Sequence, residues 1–160
     1  MPSSSSTLTF PSSLRPPFEC NQGKVLQRPG LTILNGVVYA GFGGHCDNFN
    51  YTGWVIGMDA KTGAVVTSFT TQSGAFGTTG SGIWQAGGGI ANDGTNLWVV
   101  TGNGAGEELS SAPRIGRQPP GALPMSVIKL GLDANSNLQA VDFFTPSDFR
   151  YVLLFFFFPP

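Results

Sequence analysis

The residues able to do chemistry in this chain are few and scattered. His45-Cys46-Asp47 sets an imidazole, a thiol and a carboxylate side by side in a stretch bounded by glycines, and loops of that kind carry function on many scaffolds. A zinc site needs three or four ligands, and no second Cys/His pair stands at a useful spacing. A Cys–His nucleophile needs an orienting residue that the sequence does not place. A loop histidine beside a structural cysteine is therefore the plainer expectation. Glu107-Glu108 is the one carboxylate pair. Adjacent side chains point apart unless a turn brings them round, so a solvated loop is expected ahead of a calcium contribution. Cys20 and Cys46 either form one disulfide or stay as two thiols, and two cysteines leave the compartment open.

Composition narrows the partners. The 160 residues carry a formal net charge of −1 and no cluster of Lys or Arg. A nucleic-acid groove or an anionic membrane surface needs concentrated positive charge, so neither is expected. No apolar run approaches the roughly 20 residues of a membrane-spanning helix. Met1 is followed by Pro2 and a serine run, so no signal peptide is visible. The Asn50-Tyr51-Thr52 sequon leans instead toward a secreted parent protein. The glycine runs at 41–44 and 87–89 lack the GK[ST] ending and following helix of a phosphate loop. Close packing of backbones explains them more simply.

Short strands must position whatever these residues do. Charged residues are 11% of the chain, against roughly 25% in a typical soluble domain, while 41% are hydrophobic and 23 are glycine. No long window shows the 3.6-residue apolar period of a helix. Residues 31–34 lead into Asn35-Gly36, the strongest short hairpin signal, and residues 37–40 return, ended by the glycines of 41–44. Residues 54–59 run into Asp59-Ala60-Lys61-Thr62-Gly63, where Asp59 accepts backbone N–H bonds and Gly63 takes the left-handed position, and residues 64–69 return.

The pattern then restarts. Residues 83–85 and Ala91 are short strands, and a turn at 92–96 leads to a strand at 97–101 closed by Gly102. After a Gly/Pro-rich excursion from 103 to 124, residues 126–130 pair across Asp133-Ala134-Asn135-Ser136-Asn137 with residues 138–143. The order strand, Asn/Gly turn, strand, loop, strand, Asp turn, strand thus occurs twice, which predicts an all-β propeller or solenoid whose units bury their faces on one another.

Two stretches resemble the pyrroloquinoline-quinone (PQQ) repeat family, the blades of eight-bladed quinoprotein alcohol dehydrogenase-like propellers. One is Gly36-Val37-Val38-Tyr39-Ala40-Gly41 followed by Val55-Ile56-Gly57-Met58-Asp59-Ala60-Lys61-Thr62-Gly63, similar to the repeat's "gxvyvg … vxaxDaxTG"; the repeat's terminal Trp is replaced near Phe69. The other runs from Ile83-Trp84-Gln85 through Leu97 to Thr101-Gly102-Asn103-Gly104. The resemblance implies an incomplete β-propeller of about two four-stranded antiparallel blades over residues 27–149. Residues 1–26 would be a flexible or mispredicted leader and 150–160 an aberrant apolar tail.

The resemblance also implies a chemistry. In the family's enzymes a Trp stacks on the quinone plane and an Asn after a TGN-like turn ligates calcium. Trp84 is the matching cofactor-binding residue and Asn103 the matching cofactor- and metal-binding residue. The metal-ligand Glu and catalytic Asp are expected on missing blades, the partners of this fragment, so the parent would be an oxidoreductase of alcohols or sugars. The family's adjacent cysteine pair has no counterpart. A non-catalytic propeller that binds proteins or glycans is the alternative, as is a truncated product with no function of its own. On that alternative Trp84 packs between blades and Asn103 is a turn residue.

The tail adds a further expectation. Arg150-Tyr151-Val152 is encodable as AGG-TAT-GTN, which contains a 5′ splice donor, and residues 153–160 fit pyrimidine-rich codons. Translated intron is one source of this tail; an apolar segment that docks on a partner is the other.

Overall fold

The computed structural model describes residues 25–44, 51–72, 79–85, 87–104 and 115–147. The His45-Cys46-Asp47 cluster, Cys20, Asn50, the Glu107-Glu108 pair and the tail at 150–160 lie outside the described residues. Among the described residues there is no helix, and so none long and apolar enough to cross a membrane.

The strands are β1 (Val25–Gln27), β2 (Thr32–Leu34), β3 (Val37–Gly44), β4 (Tyr51–Thr52), β5 (Trp54–Asp59), β6 (Val65–Thr70), β7 (Thr79–Gly80), β8 (Ala91–Asn92), β9 (Leu97–Val100), β10 (Ile115–Gly116), β11 (Val127–Leu132) and β12 (Leu138–Phe144). They form two antiparallel sheets. The first has the order β1-β3-β5-β6, with β2 also on β3, and the second β10-β12-β11-β9-β8; a short parallel pair joins β4 to β7. The described residues are all-β and both large sheets are antiparallel, as the punctuation of the sequence predicts.

The turns follow from their residues. Asn35 and Gly36 take φ of 52° and 78°, the two left-handed positions that let a two-residue loop match the twist of its strands. Asp59 accepts the backbone N–H of Thr62 at 2.7 Å and of Lys61 at 3.0 Å. Asp93 does the same for Asn96 and Thr95, and Asp133 for Asn137 and Asn135. These bonds favour the ionised carboxylate. The Asn96 and Thr95 N–H groups, with the Asn96 side chain, hold Asp93 at about 2. Asp59 and Asp133 are lowered too, by Thr62 and Lys61 and by Asn137 and Asn135.

A carboxylate whose folded-state pKa lies below its unfolded value stabilises the fold fully above the unfolded value. That contribution is lost as pH falls through the folded one. Stability should therefore decline from about pH 4 toward pH 2, and Asp93→Asn should flatten that acid limb. Urea midpoints measured across this range check it; an unchanged slope in the variant would refute the assignment.

The sheets stack face to face with like strands opposed. The Leu138 N–H donates to Thr67 Oγ1 at 2.8 Å, tying β12 to β6, and Asn92 Nδ2 donates to Thr32 Oγ1 at 3.1 Å, tying β8 to β2. Between them lies one core of Tyr39, Val55, Ile83, Ile90, Leu97, Val99, Leu123, Ile128, Leu130, Leu138 and Phe143. Each sheet also closes on a hydroxyl pair at the same place. Thr52 Oγ1 lies 3.4 Å from Thr71 Oγ1, and Ser126 Oγ lies 2.6 Å from Thr145 Oγ1.

Several expectations need correction. The strand predicted over 37–40 runs on to Gly44, because residues 41–44 go on pairing with β5 on one side and β1 on the other, with Pro29, Ile83 and Trp84 packed closely on Gly41 and Gly43. Residues 83–85 are not a strand. Ile83 alone bridges to Thr101, and Trp84 leaves the ladder to pack on glycine. The sheets have five strands rather than four. β1 takes Val25 and Leu26, which the sequence assigns to the leader, and β10 lies inside the supposed structureless excursion. The same excursion returns to the first sheet, where the Leu123 N–H donates to the Thr71 carbonyl at 3.0 Å.

Candidate functional site

Trp84 and Asn103, distant in sequence, lie on two segments that pair where the sheets meet. The Ser81 N–H donates to the Asn103 carbonyl at 2.6 Å, and the Gly102 N–H donates to the Gly82 carbonyl at 2.8 Å. Bridges Gly80↔Gly104 and Ile83↔Thr101 flank these bonds. On its other side the ribbon is held by the Ile83 N–H, which donates to the Phe42 carbonyl at 3.0 Å. One hydrogen-bonded seam thus runs from β3 through residues 80–84 to residues 101–104. The structure brings the two residues named in the sequence onto neighbouring segments of that seam.

Glycine makes the seam. A Cβ on Gly43 or Gly82 would lie 3.2 or 3.1 Å from the Trp84 ring, and one on Gly102 would lie 2.6 Å from its indole nitrogen. The half-buried indole therefore rests on three glycine backbones. Tyr51 meets it edge-on, with ring centroids 6.3 Å apart at 72°, and the Arg28 guanidinium carbon sits 5.4 Å from the ring centroid. Such a contact over indole is a cation–π interaction.

Beneath the ribbon is a buried polar node. Thr71 Oγ1 donates to the Ser81 carbonyl at 2.8 Å and accepts the Gly53 N–H at 3.1 Å. Ser81 itself sits at φ 58° after Gly80 at φ 110°. Its fully buried hydroxyl has no hydrogen-bond partner among the described residues, a state that a buried water ordinarily relieves.

Neither Arg28, Tyr51 and Ser81 nor the glycine seat at 43, 82 and 102 is legible in the sequence as part of a site. Arg28 reads as part of a turn before Pro29-Gly30, and the three glycines come together only when distant segments pair. No local spacing signals that seat.

The chemistry available is limited. The carboxylates among the described residues are Asp59, Asp93, Asp133 and Asp142. The first three cap turns, and Asp142 accepts the Phe143 N–H at 2.9 Å. Among the described residues no three His, Cys, Asp or Glu side chains gather to hold a metal. Calcium takes six to eight oxygen ligands, carboxylates prominent among them, and none of the described carboxylates gathers into such a group. What the site does offer is a rigid, half-buried indole with the Arg28 guanidinium over its ring. Comparison with protein-family models, curated proteins and solved structures finds no match to this chain.

Proposed function

We propose that this chain is a two-sheet part of a larger PQQ-like β-propeller, and that the seam carrying Trp84 and Asn103 is one wall of a quinone site. The carrying observation is the pairing of residues 80–84 with 101–104, which sets the indole and the amide on adjacent segments. The doubled sheet, stacked like strand on like strand, supports the propeller reading. Arg28 supports an anionic planar ligand, since PQQ bears carboxylates that a guanidinium pairs with. Calcium would draw its remaining ligands from outside the described residues, and so would the base that accepts the substrate proton. The chain by itself is expected to bind without turning over.

Titration with PQQ and Ca²⁺ tests this. Binding should perturb the quinone absorbance and raise the melting temperature, with about 2.7 kcal/mol of stabilisation at a hundredfold excess over Kd. Trp84→Ala should abolish both signals. A folded sample that gives neither refutes the reading.

Arg28 also favours a second reading. Its guanidinium already occupies a stacking position on Trp84, as in a non-catalytic module that recognises proteins or glycans through surface aromatics. On that reading the quinone titration stays blank in the wild type as well as in Arg28→Ala, whereas the quinone reading expects a wild-type signal that Arg28→Ala weakens.

A further inference from the structure

We propose that Asn35 is a site of spontaneous deamidation to isoaspartate, and that the fold shields the other described Asn-Gly pair, Asn103-Gly104, from the same reaction. The two pairs have the same local chemistry. In an Asn-Gly dipeptide the backbone nitrogen reaches the preceding side chain with least obstruction, because glycine has no Cβ. The Gly36 nitrogen, on losing its proton to base, attacks Asn35 Cγ. A C–N bond closes a cyclic imide and the side-chain nitrogen leaves as ammonia. Water then opens the ring. Cleavage at the Cγ carbonyl gives aspartate; cleavage at the main-chain carbonyl gives isoaspartate, with the backbone rerouted through Cβ and Cγ. Water is the only co-reactant, and nothing is oxidised or reduced.

The attack requires the peptide group between the two residues to turn, and here the pairs differ. Asn35 and Gly36 are both exposed, and a Cβ on Gly36 would meet nothing within 4 Å. Among the described residues neither the Asn35 carbonyl nor the Gly36 N–H is hydrogen-bonded, and the Asn35 side chain has no partner. The anchors of the turn lie on either side of that peptide: Leu34 pairs with Val37, and the Gly36 carbonyl accepts the Ala60 N–H at 2.9 Å. Asn103-Gly104 is held instead. The Asn103 carbonyl accepts the N–H of buried Ser81 at 2.6 Å, and Gly80 packs so closely that a Cβ there would lie 2.6 Å from that carbonyl oxygen. Turning this peptide breaks the bond and leaves a buried N–H unpaired, which slows the step about tenfold or more. The seam that sets Asn103 beside Trp84 thus preserves its amide.

The product alters the fold locally. Isoaspartate adds one carbon to the main chain of a turn whose residues sit at φ 52° and 78°. A two-residue loop joins its strands only with that left-handed geometry, so β2 should loosen from β3. No quinone enters this chemistry, and its failure would leave the quinone titration untouched.

Ageing the full chain at mildly alkaline pH, folded and in urea, tests the proposal, with tandem mass spectrometry locating the products. In the folded chain Asn35 should convert about tenfold or more faster than Asn103, and in urea the two rates should come together. Asn35→Asp, which carries the new charge on an ordinary backbone, should keep a urea midpoint near wild type, while the isoaspartate form unfolds at lower urea. An Asn35 that stays intact in the folded chain overturns the proposal. So do equal rates at 35 and 103 in the folded chain, a rate gap that persists in urea, or an isoaspartate form as stable as Asn35→Asp.

Discussion

Gly53→Ala is expected to cost about 3 kcal/mol, the upper end for overpacking, and to lower the melting temperature by about 10 °C. A Cβ there would lie 2.2 Å from the Ser81 carbonyl oxygen and 2.7 Å from Thr71 Oγ1. Neither neighbour can easily retreat. The Ser81 carbonyl accepts from Thr71, the Ser81 N–H is bound to the Asn103 carbonyl, and the residue is held in the left-handed region. Relief of the clash must move the ribbon, and with it the indole of Trp84, so tryptophan emission should shift as well. Gly88→Ala is the control. It has a negative φ, and its nearest neighbour to an added Cβ, the Gln85 carbonyl, lies 3.7 Å away, so its urea midpoint should stay near wild type. Equal losses in the two variants would show that Gly53 does not mark a tight joint.

The second large effect lies in the core. Leu130 is fully buried between the sheets, and Leu130→Ala should cost about 3 kcal/mol through lost burial plus the cavity left behind. Val127 stands on the same strand but faces outward. Val127→Ala should change the stability of the isolated chain by no more than about 0.5 kcal/mol. Paired denaturation curves decide the matter. Comparable losses at 127 and 130 would mean that β11 is buried on both faces, contrary to the exposure of Val127.

Much of the local structure was legible before any coordinates. Asn35-Gly36 and the Asp59 turn were readable because their conformations follow from the residues themselves: tolerance of positive φ in one case, a carboxylate within reach of two N–H groups in the other. β5 was readable to its ends because Trp54 and Asp59 bound an apolar run. The glycines of 41–44 misled because glycine is a poor strand former by propensity. They extend β3 all the same, because their backbones pair with β1 and β5, with Ile83 and Trp84 packed close against them. Ile83 misled in the opposite sense. Its apolar neighbourhood reads as strand, yet only one bridge forms there. β1 and β10 were missed because two- and three-residue edge strands have no room for an alternating pattern.

The candidate site was legible only as two isolated residue types. Trp84 and Asn103 were named from a resemblance, and nothing in their spacing says that residues 80–84 and 101–104 pair. Arg28 and Tyr51 join the indole from parts of the chain that share no local pattern with it. Side-chain identity thus named a stacking surface and an amide, while the arrangement around them depended on distant backbones meeting.

The amino-acid sequence by itself determined the class of structure, the repeated order of strands and the chemistry of the turns, because each depends on residues a few positions apart. Tertiary structure alone decided which glycines are strand, which face of each sheet is covered, and that Trp84 and Asn103 share a seam. Those outcomes rest on contacts between segments far apart in the chain, where close packing of backbone against ring overrides the preference of any single residue.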